Sequence, residues 1–199
     1  MSTNDVRLER RPAVARLIQD RGDLLIVAGL GSAIWDVEAV GENPLNFYML
    51  GAMGSVSSVA LGLALARPDR RVLGLTGDAE LMMGLGTLPT IALRRPRNLS
   101  IVAIDNELFG ETGSQASHTG AGVELAGIAE ACGIPIVRRV RDEAGVDELR
   151  GLIHGGEGPV FATMKVTPTM PPVVMPIRDG AYLKHRFRAA LLGDQALKE

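Results

Sequence analysis

Val72-Leu73-Gly74-Leu75-Thr76-Gly77-Asp78-Ala79-Glu80 and, after a helix-sized gap, Leu99-Ser100-Ile101-Val102-Ala103-Ile104-Asp105-Asn106-Glu107-Leu108-Phe109-Gly110 decide how the rest of the chain is read. Each stretch opens on a short apolar run of strand character and delivers an oxygen-bearing side chain, Asp78 or Asn106, at its carboxyl end. Residues 81–93 between them carry apolar and small side chains at helical spacing. The unit reads as β-α-β, two parallel strands aiming two hard oxygen donors at the sheet edge where open α/β sheets bind ligands. Two such donors and a backbone carbonyl suit Mg²⁺, which prefers octahedral oxygen coordination and takes further ligands from water and phosphates. Taken singly, Gly-Asp and Asp-Asn are ordinary turn residues. Their order and spacing together point to a metal that bridges to a diphosphate.

Working outward, Leu24-Leu25-Ile26-Val27-Ala28 is a continuous apolar run, the pattern of a strand buried on both faces. It ends in Gly29-Leu30-Gly31-Ser32-Ala33 and leads into a short helix over 34–40. A dinucleotide fingerprint needs a third glycine where Ile34 stands, so that reading is incomplete. Free N–H groups at a helix start near Ser32 still suit a phosphate. Phe47-Tyr48-Met49-Leu50 leads into Gly51-Ala52-Met53-Gly54, a turn that lets a ligand ring approach the backbone, and a helix over 57–66 stops before Pro68. Residues 110–122, which carry Glu111, Thr112, Ser114, Gln115, Ser117, His118 and Thr119, read as a mobile binding loop whose hydroxyl, amide and imidazole donors suit an anionic substrate. A first helix within 7–19, helices at 125–132 and 146–152, strands at 134–140 and 159–166, an extended Pro-rich segment at 167–176 and an amphipathic helix at 182–192 complete the pattern. The alternation predicts an α/β fold, a doubly wound, mainly parallel sheet flanked by helices, in one domain over 1–199.

At 199 residues, 46% hydrophobic and 22% charged, the chain is long and apolar enough for one real core. A net charge of −2 gives no nucleic-acid footprint. The single cysteine, Cys132, rules out an internal disulfide, points to a reducing compartment, and reads as a buried small side chain at a helix end. The stretch from Ser2 to Arg11 is polar, without the apolar region of a signal peptide, and no uncharged apolar run reaches about 18 residues. These features predict a soluble, cytoplasmic protein without a membrane span.

Gly77-Asp78-Ala79 followed by Asp105-Asn106 resembles the thiamin-diphosphate motif written GDG…NN, and Gly51-Ala52-Met53-Gly54 resembles the turn beneath the cofactor's pyrimidine in the same superfamily. More narrowly, residues 47–54 and Thr112-Gly113-Ser114-Gln115-Ala116-Ser117-His118-Thr119 look like the β subunit of sulfopyruvate decarboxylase and the related phosphonopyruvate decarboxylases. The resemblance implies the pyrophosphate-binding domain over nearly the whole chain, with thiamin diphosphate and Mg²⁺ as cofactors. It implies that Asp78, Asn106 and the Leu108 carbonyl hold the metal. The turn at Gly31 and Ser32 and the amides of Ala79 and Glu80 would hold the diphosphate. Gly51, Ala52 and Met53 would lie against the pyrimidine, and Gly77, Phe109 and Gly110 would complete the cofactor site. Thr112, Gln115 and His118 are the substrate-binding candidates, with His118 also the candidate for proton transfer because its ordinary pKa is near neutral. Two positions depart from the motif: Ala79 stands for its second glycine and Asp105 for its first asparagine. The family's activating glutamate sits on a separate pyrimidine-binding domain that no segment here supplies. The resemblance therefore implies a partner subunit, a hetero-oligomer, and decarboxylation of a small anionic 2-oxo acid. A carboligase or acetolactate-synthase-like subunit and a non-catalytic regulatory subunit are the alternatives.

Overall fold

The structure, a computed structural model, describes residues 7–198, so the first part of the polar stretch from Ser2 to Arg11 lies outside the described residues. Chain order runs α1 (Arg10–Leu17), β1 (Leu25–Ala28), α2 (Ser32–Val40), β2 (Asn46–Tyr48), α3 (Val56–Ala66), β3 (Val72–Gly77), α4 (Asp78–Met83), α5 (Thr87–Arg94) and β4 (Leu99–Asp105). It continues through β5 (Leu108–Phe109), β6 (Gln115–Ala116), α6 (Leu125–Ala131), β7 (Ile136–Val140), α7 (Glu143–Gly155), β8 (Val160–Lys165) and α8 (Gly180–Leu192). Six strands form one wholly parallel sheet in the order β2-β1-β3-β4-β8-β7, and β5 with β6 makes a separate antiparallel pair. Every residue of β1 and of β4 is buried, as continuous apolar runs require in a sheet covered on both faces.

Alternate strand residues feed two cores. Ile26, Leu73, Val102 and Ala162 pack with α1, α2 and α7 on one face. Leu25, Val27, Ile101 and Phe161 pack with α3, α5 and α6 on the other. Because α2 leaves β1 on the first face and α4 with α5 leave β3 on the second, the sheet switches direction between β1 and β3. A doubly wound sheet opens its ligand crevice at such a point, outside the carboxyl ends of the strands.

Four expectations change. The helical segment expected over 81–93 is two helices, α4 and α5, parted at Gly84-Leu85-Gly86. A Cβ on Gly84 would stand 2.0 Å from the Gly54 carbonyl oxygen, so the chain must keep a glycine there and turn away. The loop expected over 110–122 holds half of the small hairpin and buries Ser117 and Thr119. Leu8 joins the end of β8 beside Val166, bonded to the carbonyl of Lys165 and the amide of Thr167. Cys132 is half-buried rather than buried. Among the described residues no helix is long and apolar enough to cross a membrane.

Candidate cofactor and metal site

Register places the two opening motifs side by side. Gly77 of β3 is the partner of Ile104 of β4, so Asp78 and Asp105 leave adjacent strand ends together. Asp78 is 2% exposed and begins α4. The hydroxyls of Ser117 and Thr119 both donate to its Oδ2, that of Thr119 at 2.8 Å, which leaves Oδ1 without a side-chain hydrogen bond. Thr119 Oγ1 also lies 2.7 Å from Asp105 Oδ1 and 3.0 Å from Ser117 Oγ. Burial pushes the Asp78 carboxyl above the ordinary range. The two hydroxyls pull against that shift, and the charge of Asp105 adds to it.

The turn after β4 is built by side chains on their own backbone. Asp105 Oδ1 accepts from the Glu107 amide and Asn106 Oδ1 from the Leu108 amide, each at 3.1 Å, with Glu107 at φ +64. Asp105 and Lys165 are cross-strand partners of β4 and β8 and form a 2.8 Å ion pair. Lys165 also reaches Glu107 at 2.6 Å, and Arg7 meets the same carboxylate at 2.7 Å. Burial acts to raise the Glu107 carboxyl, but Lys165 and Arg7 outweigh it and hold it below the usual range. The motif's departure at 105 is thus matched by a cation on the neighbouring strand.

A cavity of about 300 Å³ sits at this edge, lined by Ser32, Met53, Gly77, Asp78, Ala79, Glu80, Asn106, Leu108, Phe109, Gly110 and Thr112 among the expected residues. Glu111 of the expected binding loop lines it as well, as do Trp35, Met83 and Met170, which the sequence reading did not single out. Gly31, at φ +72, lines a smaller adjoining cavity of about 280 Å³ instead. Gly51 and Ala52 are exposed and lie beside Met53 rather than on the wall. Gln115 is exposed and bonded to Thr112, its Nε2 donating to the Thr112 carbonyl at 2.8 Å. His118 is exposed, edge-on to the ring of Phe109 at 6.4 Å, and is not a wall residue.

The donor set fits a hard cation with a diphosphate. Asp78 and Asn106 offer oxygens from adjacent strand ends, both buried, with the Leu108 backbone at the same wall. Gly31 stands at the start of α2, where the first N–H groups of a helix suit an anion, and it is bare enough that the Glu111 carboxylate rests where a Cβ would stand. Ser117 and Thr119, read from the sequence as loop groups for an anionic substrate, bond the Asp78 carboxylate instead, and Lys165, which the sequence reading did not single out, pairs with Asp105. Ser117 directly follows β6 and Thr119 lies in the turn after it, and that turn brings both hydroxyls onto one carboxylate oxygen.

Residues 32–163 match the model of the C-terminal TPP binding domain of thiamine pyrophosphate enzymes. The chain is 37% identical over 161 residues to the sulfopyruvate decarboxylase subunit beta of Methanothermobacter thermautotrophicus, covering 81% of this chain and 83% of that one. It is 32% identical to the same subunit of Methanocaldococcus jannaschii, covering 92% and 97%. It is 30% identical to the phosphonopyruvate decarboxylase of Streptomyces viridochromogenes, covering 92% of this chain but 46% of that protein. A solved chain from Mycobacterium smegmatis, described provisionally as thiamin diphosphate-dependent, superposes with a TM-score of 0.68 at 18% identity, over 81% of this chain and 32% of its own length.

Proposed function

This chain belongs to the thiamine pyrophosphate enzymes, as a C-terminal TPP-binding domain related to the sulfopyruvate decarboxylase β subunits, and on that premise we propose that it is the thiamin-diphosphate- and Mg²⁺-binding subunit of a 2-oxo acid decarboxylase. The substrate is an anionic 3-substituted pyruvate of the sulfopyruvate or phosphonopyruvate type, converted to an aldehyde and carbon dioxide. The observation that carries the reading is the pairing of Asp78 and Asn106 at adjacent strand ends in one cavity with Met53.

In this reading the whole chain acts as one domain. Asp78, Asn106 and the Leu108 carbonyl hold Mg²⁺. The amides of Ala79 and Glu80, with the turn at Gly31 and Ser32, hold the diphosphate, while Gly51, Ala52 and Met53 support the pyrimidine. When bound, thiamin diphosphate supplies the electron sink that lets a carbon–carbon bond break as carbon dioxide leaves. The protein's part is to orient, to hold charge, and to exclude water from the reacting carbon. Met53, Phe109 and Met170 furnish apolar wall for that exclusion, and Ser117 and Thr119 aim the Asp78 carboxylate. Thr112, Gln115 and His118 bind the substrate, and His118 is placed beside Phe109, a wall residue.

The activating glutamate comes from a separate pyrimidine-binding subunit. The designation of two relatives as "subunit beta" supports a partner of another kind, and so a hetero-oligomer. The test is to co-purify the chain with its native partner and to assay a panel of 2-oxo acids for carbon dioxide and aldehyde. Turnover should need both subunits and be greatest with sulfonate or phosphonate tails. Asp78→Ala should abolish Mg²⁺-dependent binding of thiamin diphosphate. Cofactor binding in that variant as tight as in the unaltered chain would sink the metal assignment, and hydroxyketone in place of aldehyde would show carboligation.

A further inference from the structure

Glu80 has a side chain that this chemistry leaves unused. It is 4% exposed, although it sits at the cavity wall. Its Oε2 accepts from Thr76 Oγ1 at 3.0 Å, and its Oε1 is buried without a hydrogen bond. A carboxyl with one oxygen unpaired is costly to bury, and such a group persists where its position matters more than its cost.

Three turns meet around it. At the end of β1, Oε2 lies 1.8 Å from where a Cβ of Gly29 would be, so only glycine admits the carboxylate there. The backbone amides of Gly77, at the end of β3, and Gly54, in the turn between β2 and α3, favour the charged form of the same carboxyl, although neither completes a hydrogen bond to Oε1. That last turn is also pressed against the end of α4. Gly54 is at φ +89, a Cβ on it would stand 2.9 Å from the Met83 Cβ, and Gly84 meets the Gly54 carbonyl in return. The three turns are those that carry Gly31 and Ser32, Gly51 to Met53, and Asp78.

We infer that the Glu80 side chain is a positioning residue that fixes the spacing of these three turns, and through it the affinity for a diphosphate-bearing cofactor with its divalent cation. The inference rests on the cofactor reading above. It goes beyond the backbone amide of Glu80 by giving its carboxylate a task at a distance from the ligand. Met53 and Asp78 lie on different segments, and the carboxylate between those segments keeps them at one separation.

The experiment measures thiamin diphosphate binding calorimetrically at fixed Mg²⁺, on the full chain in complex with the subunit it co-purifies with, alongside thermal melting. Glu80→Ala should weaken binding by about tenfold or more at temperatures where the protein is fully folded, and Glu80→Gln, which keeps the acceptor for Thr76, should recover to within about threefold. In Gly29→Ala the new methyl must displace the carboxylate, so binding weakens similarly. The double variant Gly29→Ala/Glu80→Ala should be no worse than either single change, because both remove one interaction. A purely structural role would lower the melting temperature and leave the affinity of the folded protein unchanged, and that result overturns the inference, as does simple additivity in the double variant. Should Glu80→Ala not fold, Thr76→Val decides, and unaltered affinity there overturns it. An unaltered complex that fails to bind the cofactor overturns the cofactor reading itself and this inference with it.

Discussion

A carboxylate that is to receive a divalent cation must be both ionised and aimed, and burial works against the first. At Asp78, burial raises the carboxyl, and Ser117 and Thr119 recover part of the charged form while fixing Oδ2. A proton therefore competes with the cation at higher pH than it would at an ordinary aspartate, whose pKa is about 3.9. Mg²⁺-dependent cofactor affinity should be flat near neutrality and fall on acidification, beginning above that range and approaching about tenfold per pH unit. In the metal-free chain the same group contributes stability that is present below its unfolded pKa and is lost as pH rises through its raised folded value. Added Mg²⁺ should restore that loss. Binding isotherms taken from about pH 7.5 downward check this, and a profile flat to about pH 4 would contradict it. The placing of Asp78 and Asn106 together at one ligand edge was legible, because each follows an apolar strand run directly. The contacts of Ser117, Thr119 and Lys165 were not, because strand register brings 165 beside 105 and the small hairpin with its following turn brings 117–119 back onto 78.

At the scale of elements, periodicity showed strands and helices well and breaks within a periodic run badly. Residues 81–93 keep helical spacing throughout, yet Gly84 ends α4 because the backbone of another turn occupies its Cβ position. Nothing in a helical pattern announces a neighbour from residue 54. Gly84→Ala must push a methyl against the Gly54 carbonyl oxygen, a backbone atom that cannot rotate away. We expect about 1–3 kcal/mol of destabilisation, as for other overpacked sites, and a fall in melting temperature of about 2–4 °C per kcal/mol. Gly86→Ala is the control, since no atom lies within 4 Å of its Cβ position and its φ is −61. It should be neutral or slightly stabilising through the unfolded chain. Equal melting temperatures for the two variants would mean that the contact between 54 and 84 carries no weight. The hairpin of β5 and β6 was hidden for a related reason: each strand has two residues, too short for any alternation to register.

For the molecule as a whole, strand and helix alternation was enough to give the parallel sheet, its ligand edge and the layers on both faces, because each layer leaves its own periodicity in the sequence. What alternation cannot give is which surface remains uncovered. Met83 is 65% exposed and Met170 44% exposed, both on the wall of the cavity, and Met175 lies exposed on the adjoining one. Large apolar side chains gathered at one ligand edge mark a surface for another protein. On the proposed reading, the partner's activating glutamate arrives at the same edge. A partner docked there would cover Met83 and close the site against water at once. Met83→Glu would then put a charge into the buried centre of that interface, and subunit affinity should fall by about tenfold or more. Leu93, 81% exposed on α5 and lining neither of these two cavities, is the matched control, and Leu93→Glu should leave assembly unchanged. Titration of each variant with the partner subunit, read by calorimetry, compares the two. If Met83→Glu associates as tightly as the unaltered chain, the subunits meet elsewhere, and the glutamate must reach the cofactor by a segment that extends past this edge rather than by covering it.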